Sequence, residues 1–180
     1  INKNLEKLKS DCYNFLKIDL INKSETINAI KKFKPNLVFN LAAETHVDRS
    51  INNPVSFIES NILGTFNLLE ALREYWSELD SEKQKLFKFV HISTDEVFGS
   101  LGNSGLFNEN SQYDPRSPYS ASKASSDHFV KAWHNTFGLP AVVVNCSNNF
   151  GPWQYPEKLI PLTIFNALNG IDIPLYGNGE

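Results

Sequence analysis

The chain has 180 residues, 17 Lys and Arg against 20 Asp and Glu (net charge −3), and is 41% hydrophobic and 12% aromatic. That length suits one good-sized domain with a packed core rather than a disordered chain. The weak acidity, with basic residues spread out, argues against a nucleic-acid surface. No run approaches the roughly 18 apolar residues of a membrane span. Two cysteines, Cys12 and Cys146, are too few for a disulfide framework and fit a reducing cytoplasm, although a single bridge between them stays open. The chain starts at Ile1, contains no Met and stops after a turn-like Gly177-Asn178-Gly179-Glu180, which reads as an internal piece of a longer protein.

In chain order, short apolar runs at Asn14–Leu20, Leu37–Ala42, Phe87–Ser93 and Ala141–Val144 alternate with helical patterns. This alternation predicts parallel βαβ units whose strands are buried on both faces. A helix is predicted through Lys32, capped by Ser24 and with Glu25 in its positive first turn. Asn53-Pro54 opens a second helix, with Val55, Ile58, Ile62, Phe66, Leu69 and Trp76 forming one apolar stripe. Ser117-Pro118 opens a third, striped by Phe129, Val130, Trp133 and Phe137, which Gly138 stops. Gly99–Pro115, rich in Gly, Asn, Ser and Asp, is predicted to be a long surface loop, a kind often functional. A domain boundary is placed near Gly151-Pro152, giving residues 1–150 and 151–180.

Four clusters can carry chemistry. Tyr119 and Lys123 share one helix face, and an ammonium near a phenol lowers its pKa toward working pH, making a base for a hydroxyl proton. By itself the pair is also a common accident. Ser93-Thr94-Asp95-Glu96 closes an apolar strand, where ligands of open parallel sheets bind. Two adjacent carboxylates in different surroundings can serve as acid and base, or be a solvated turn. Leu41-Ala42-Ala43-Glu44 lets an extended ligand approach the backbone, or simply packs on a helix. His46, Asp48 and Arg49 follow, but one histidine without companions at ligand spacing does not make a metal site. His91, His128 and His134 read as structural or exposed. Asn148-Asn149 offers donors and acceptors suited to sugar or phosphate, or only a turn. Lys158 can pair with a phosphate, or be a solvated lysine.

Together these residues resemble the extended short-chain dehydrogenase/reductase superfamily, and within it the nucleotide-sugar 4,6-dehydratases. The resemblance runs through Ala42-Ala43-Glu44-Thr45-His46-Val47-Asp48-Arg49-Ser50, Ser93 to Gly99, Tyr119-Ser120-Ala121-Ser122-Lys123-Ala124, Ser147 to Pro152, and Pro156-Glu157-Lys158-Leu159-Ile160-Pro161. The Tyr-x-x-x-Lys element marks only the superfamily. The Thr-Asp-Glu triplet and the Pro-Glu-Lys-Leu-Ile-Pro run are more specific.

The resemblance implies an α/β, Rossmann-like doubly wound parallel sheet, truncated at both ends, with the start of a smaller substrate-binding lobe. It implies NAD as cofactor, contacted by Asp19, Leu20, Leu41, Ala42, Ala43, Asn61, Tyr119, Lys123 and Asn148. Tyr119 would be the base for the sugar 4-hydroxyl, and Thr94 would hydrogen-bond that hydroxyl. Glu96 would remove the C5 proton while Asp95 protonates the departing C6 hydroxyl. His46, Thr94, Asn148, Lys158, Leu159 and Tyr176 would contact the nucleotide sugar, expected to be dTDP-glucose. The alternatives are a UDP- or GDP-sugar dehydratase and a nucleotide-sugar 4-epimerase, and Asp95-Glu96 argues against the last. A cytoplasmic homodimer is the expected state, with no nucleic-acid or membrane partner. The family's Gly-rich phosphate loop is absent from these 180 residues, so the chain as it stands is expected to bind NAD poorly. Phe98 and Phe150 replace the family's usual tyrosines, losing a hydroxyl and keeping the ring.

Overall fold

The computed structural model describes residues 13–102 and 104–175. Residues 15–147 form one unit; residues 13–14 and 148–175 belong to a second. Tyr176 and Cys12 lie outside the described residues, and Cys146 carries a free thiol.

The first unit is built on a three-stranded parallel sheet of β1 (Leu37–Asn40), β2 (Lys88–Thr94) and β3 (Ala141–Cys146), in that spatial order. The register places Phe39 beside Val90, and Val90 beside Val142. Parallel order and flanking helices agree with the Rossmann-like expectation. Phe89, Leu68, Leu69, Leu72, Tyr75, Phe87, Val130 and Leu139 form the core, with Val38 and Val143 packed against it. The opposite face differs from the expectation of strands buried on both sides. Leu37, Phe39, Val142 and Val144 are exposed, because side chains alternate across a strand and the helices of this unit cover one face. The run Asn14–Leu20 is not a strand. A strand needs a hydrogen-bonded neighbour, and no strand among the described residues lies beside this one.

Helix α1 (Lys23–Phe33) is capped by Asn22, two residues before the expected Ser24: Asn22 Oδ1 accepts from Glu25 N–H at 3.2 Å. After the short α2 (Val47–Asn52), the helix opened by Pro54 runs as α3 (Pro54–Phe57), a π-helical turn (Ile58–Leu63) and α4 (Gly64–Ser77). The buried stripe is offset from the predicted one at its start: Val55 and Ile58 face out while Phe57, Asn61, Thr65, Leu68 and Leu72 face in, and Leu69 is buried as predicted. A short α5 (Ser81–Leu86) leads into β2.

Helix α6 (Pro118–Phe137) begins as predicted, with a capping box between Ser117 and Ser120, and ends on Gly138 at φ 76°. The predicted stripe is borne out in part, with Val130 in the core and Phe129 and Trp133 packed against it, but the buried face extends through polar residues. Phe137 is exposed and Phe129 and Trp133 are half-buried, whereas Tyr119, Ser122, Lys123, Ser126, Asp127 and Val130 are buried. Between β2 and α6 the 99–117 segment holds no helix or strand among its described residues. It leaves β2 at Gly99, φ 84°, where an added Cβ would come within 2.8 Å of the Asp114 backbone oxygen. In the second unit, α7 (Leu159–Asn169) follows Lys158 and ends on Gly170.

Candidate active site

The carboxyl end of β2 carries the acidic residues. Thr94 caps a 3₁₀ turn (Asp95–Phe98), its Oγ1 accepting from Glu96 N–H at 3.2 Å. This short turn lets two consecutive carboxylates leave the strand end while both remain half-buried. Asp95 Oδ1 accepts from the Thr94 hydroxyl at 3.4 Å.

Tyr119, the second residue of α6, reaches the same place. It is 7% exposed, packs edge-on against Phe57 at 6.3 Å between ring centroids, and its hydroxyl lies near enough to Thr94 for the threonine to favour the phenolate. The charges of Glu96 and Asp95 both act on it. The structure therefore brings Thr94, Asp95, Glu96 and Tyr119 together. Lys123 lies one helical turn on, 4% exposed, its Nζ donating to the Ile92 carbonyl at 2.8 Å.

The electrostatics correct one expectation. Burial, followed by the Glu96 charge, raises the Tyr119 pKa, and Thr94 only partly opposes them. The predicted lowering by Lys123 is not seen, because its ammonium is turned to the strand backbone and its own pKa is lowered by burial.

The strand end at β1 forms the adjoining wall. Leu41 and Ala42 are exposed there, and a cavity of about 460 Å³ is lined by Lys17, Ile18, Asp19, Leu20, Ala42 and Ser60. Asn61, in the π turn, is 1% exposed. Its Oδ1 accepts from Glu44 N–H at 2.8 Å, and its Nδ2 donates to Glu44 O at 3.0 Å and Ser122 Oγ at 2.8 Å. Asn61 thus ties the segment after β1 to α6. His46 stands at the start of α2 without a side-chain cap hydrogen bond and is half-buried, its Nδ1 without a partner among the described residues. In the second unit Asn148 is exposed, Lys158 precedes α7 and Leu159 is 71% exposed. A larger cavity, about 520 Å³, is lined by Phe98, Tyr113, His128, Lys131 and Val143 among others, with neither Tyr119 nor Lys123 in its wall. Size alone does not locate the chemistry.

Sequence reasoning missed a buried polar group beneath the site, Asn40, His91, Ser93 and Asp127, joined by the half-buried Tyr113. Asp127 continues the Tyr119–Lys123 spacing by another four residues, and that spacing was the available signal. No cluster of three or more metal-ligating side chains occurs among the described residues, and none of their helices is long and apolar enough to cross a membrane.

A family description, GDP-mannose 4,6 dehydratase, matches residues 1–180. A dTDP-glucose 4,6-dehydratase from Neisseria meningitidis is 55% identical over 168 residues, covering 93% of this chain and 47% of that protein. A dTDP-glucose 4,6-dehydratase double mutant from Streptomyces venezuelae, crystallised with NAD bound, superposes with a TM-score of 0.88 at 38% identity, covering 99% of this chain and 52% of that one. A Thermus thermophilus UDP-glucose 4-epimerase in complex with NAD superposes with a TM-score of 0.81 at 30% identity, covering 95% and 53%. The chain spans about half the length of the relatives it matches.

Proposed function

We propose, from the premise that the chain belongs to the GDP-mannose 4,6 dehydratase family, that its protein is an NAD-dependent dTDP-glucose 4,6-dehydratase, a hydro-lyase. The observation that carries this reading is the convergence of the Tyr119 hydroxyl with Thr94, Asp95 and Glu96. The epimerase shares the fold, so the fold does not discriminate. An epimerase needs a hydroxyl base and no elimination acid or base, and here two carboxylates stand beside the tyrosine.

The residues at hand fit a dinucleotide. The cavity lined by Asp19, Leu20 and Ala42 is open, Leu41 and Ala42 are exposed at the strand end, and Ala43 is small and half-buried. Asp19, Leu20, Leu41, Ala42 and Ala43 would hold NAD, with Asn61 fixing that wall and Lys123 beside it. Bound NAD would supply the redox chemistry, as the hydride acceptor for C4 and the hydride donor for C6. Tyr119 removes the 4-hydroxyl proton, with Thr94 holding that hydroxyl in line. Glu96 then removes the C5 proton, made acidic by the new ketone, Asp95 protonates the departing C6 hydroxyl so that it leaves as water, and the proton held by Glu96 returns to C5 when C6 is reduced. Because burial and Glu96 hold the Tyr119 proton on, deprotonation needs positive charge nearby, and Lys123 is the nearest ammonium on its helix face. His46, Asn148, Lys158, Leu159 and Tyr176 would contact the nucleotide sugar.

We assign a cytoplasmic location, to which the free Cys146 thiol is suited. We also assign a homodimer, supported by Val55 and Ile58, 56% and 54% exposed on the long helix. The deciding experiment gives the full-length enzyme dTDP-glucose and NAD and follows product mass. Loss of one water supports the dehydratase, unchanged mass with inverted C4 supports an epimerase, and no conversion ends the reading.

A further inference from the structure

Asp127 is fully buried, and its two oxygens have different surroundings. Oδ2 accepts from Ser93 Oγ at 2.7 Å, Tyr113 OH at 3.1 Å and Asn145 Nδ2 at 3.5 Å. Lys131 Nζ donates to the Tyr113 oxygen at 3.1 Å, so the Tyr113 proton is directed at Asp127. Oδ1 has no hydrogen-bond partner among the described residues and faces His91 Nε2 at 3.5 Å. That contact is not an ion pair, since burial holds the His91 pKa at about 3. Asn40 Nδ2 contacts His91 Nδ1 at 3.1 Å. With the amide as donor, the imidazole proton is assigned to Nε2, toward Asp127.

Three donors on one oxygen and a neutral histidine describe an ionised carboxylate with no matching cation in contact. The cation is Lys123, one turn earlier on α6 and equally enclosed. Burial alone discharges a lysine, and the Asp127 charge works against that; reciprocally, Lys123 and the three donors oppose the rise that burial imposes on Asp127. Asp127 also joins the ends of β2 (Ser93) and β3 (Asn145) to the 99–117 segment (Tyr113).

We infer that Asp127 is a positioning residue for the Tyr119–Lys123 pair, acting as the buried counter-charge of Lys123 and touching no reactant itself. The inference rests on the dehydratase reading for its kinetic consequences, and on geometry alone for its electrostatic ones. Asp127 is faced by His91 from β2, Tyr113 from the 99–117 segment with His128 and Lys131 behind it, and Lys123 from its own helix. Tyr119 is faced by Glu96 and Asp95. Neutralising Asp127 leaves all of these in place and removes one negative charge, which makes both Tyr119 and Lys123 easier to deprotonate.

The test uses the full-length enzyme and the variants Asp127→Asn, Asp127→Ser and Asp127→Glu. Competitive acetylation of Lys123, read by peptide mass spectrometry across pH, gives its titration midpoint whether or not the enzyme turns over. In Asp127→Asn the midpoint should fall by about one pH unit, and in Asp127→Glu it should stay. With dTDP-glucose, both limbs of the kcat profile should move to lower pH by a similar amount. The kcat should fall about tenfold and KM change less than about threefold. Asp127→Ser, small enough to admit a water, replaces Asp127→Asn if that variant does not fold. A folded neutral variant with an unmoved Lys123 midpoint overturns the inference. Failure of both neutral variants to fold assigns Asp127 a structural role and overturns it too. A wild-type enzyme that leaves dTDP-glucose untouched sinks the dehydratase reading, while the acetylation result still decides this one.

Discussion

Strand β2 and helix α6 each have two halves, and the contrast between them organises the molecule. At one end Phe89 and Val130, 0% and 1% exposed, meet Leu69, Leu72 and Leu139. At the other His91, Ser93 and Asp127 are enclosed as completely, beneath Lys123 and Tyr119. Equal burial has opposite energetic meaning at the two ends. Each large apolar side chain removed from water stabilises by about 1.5–3 kcal/mol. A buried hydrogen bond returns about 1 kcal/mol net, and an unmatched buried polar group costs more than that. The apolar end stabilises the fold, and the polar end holds charged groups where chemistry can use them.

The comparison breaks first at Tyr119. Tyr119→Phe keeps the ring packed on Phe57 and removes only the hydroxyl. It should cut turnover by about 10³-fold while the unfolding midpoint stays near that of the wild type. A comparable loss of stability would show the polar end to be structural after all. Glu96→Gln sharpens the same point inside the site. Elimination should fall by about 10²-fold or more, yet a transient absorbance of reduced nicotinamide should still form in stopped flow, because the proposal gives oxidation to Tyr119. Absence of that transient would merge two roles assigned here to different residues. At the apolar end the pattern should invert. Phe89→Ala should cost about 3–5 kcal/mol in urea unfolding, with turnover per folded molecule within about threefold of wild type.

How far the sequence reveals this division depends on what pattern reading counts. Three of the four apolar runs are strands, since β-branched residues bounded by turns carry a strong signal. The Asn14–Leu20 run is not, because composition does not show whether a neighbouring strand is present. Ser117-Pro118 and Gly138 mark α6 correctly, since caps are local chemistry. The stripe through Val130 is read in part, but the first half of the buried face of α6 is missed because periodicity is scored on apolar residues, and there the enclosed positions are Tyr119, Ser122, Lys123, Ser126 and Asp127. The stripe on the long helix is misplaced at its start for the same reason, since Asn61 and Thr65 are among its enclosed positions. The proposed site residues Thr94, Asp95, Glu96 and Tyr119 are legible as motifs. The rise of the Tyr119 pKa is not, because it depends on burial.

A smaller effect separates the halves by pH. The folded His91 pKa lies at about 3 against an ordinary 6.5. Below 6.5 the unfolded chain therefore takes up a proton that the fold refuses. Stability falls as pH falls, by about 1.4 kcal/mol per unit from this group, until about 3. In His91→Gln the dependence should be flatter by that amount over the same window. Parallel curves for wild type and variant would mean that His91 titrates normally and that the polar end admits water.

The smallest effect tests whether the two halves are coupled through their common helix. Ser117 Oγ accepts from Ser120 N–H, and Ser120 Oγ accepts from Ser117 N–H, at 3.0 and 2.9 Å. Ser117→Ala should cost about 1 kcal/mol, the ordinary value of a lost cap. Its position makes it informative, because fraying of the first turn reaches Tyr119 before any of the apolar half. Turnover should therefore drop several-fold at temperatures where the variant is still fully folded, and hydrogen exchange should rise in residues 118–122 but not near Val130. Uniform exchange along α6 would show instead that the helix responds as one body, with the polar end no looser than the core it continues.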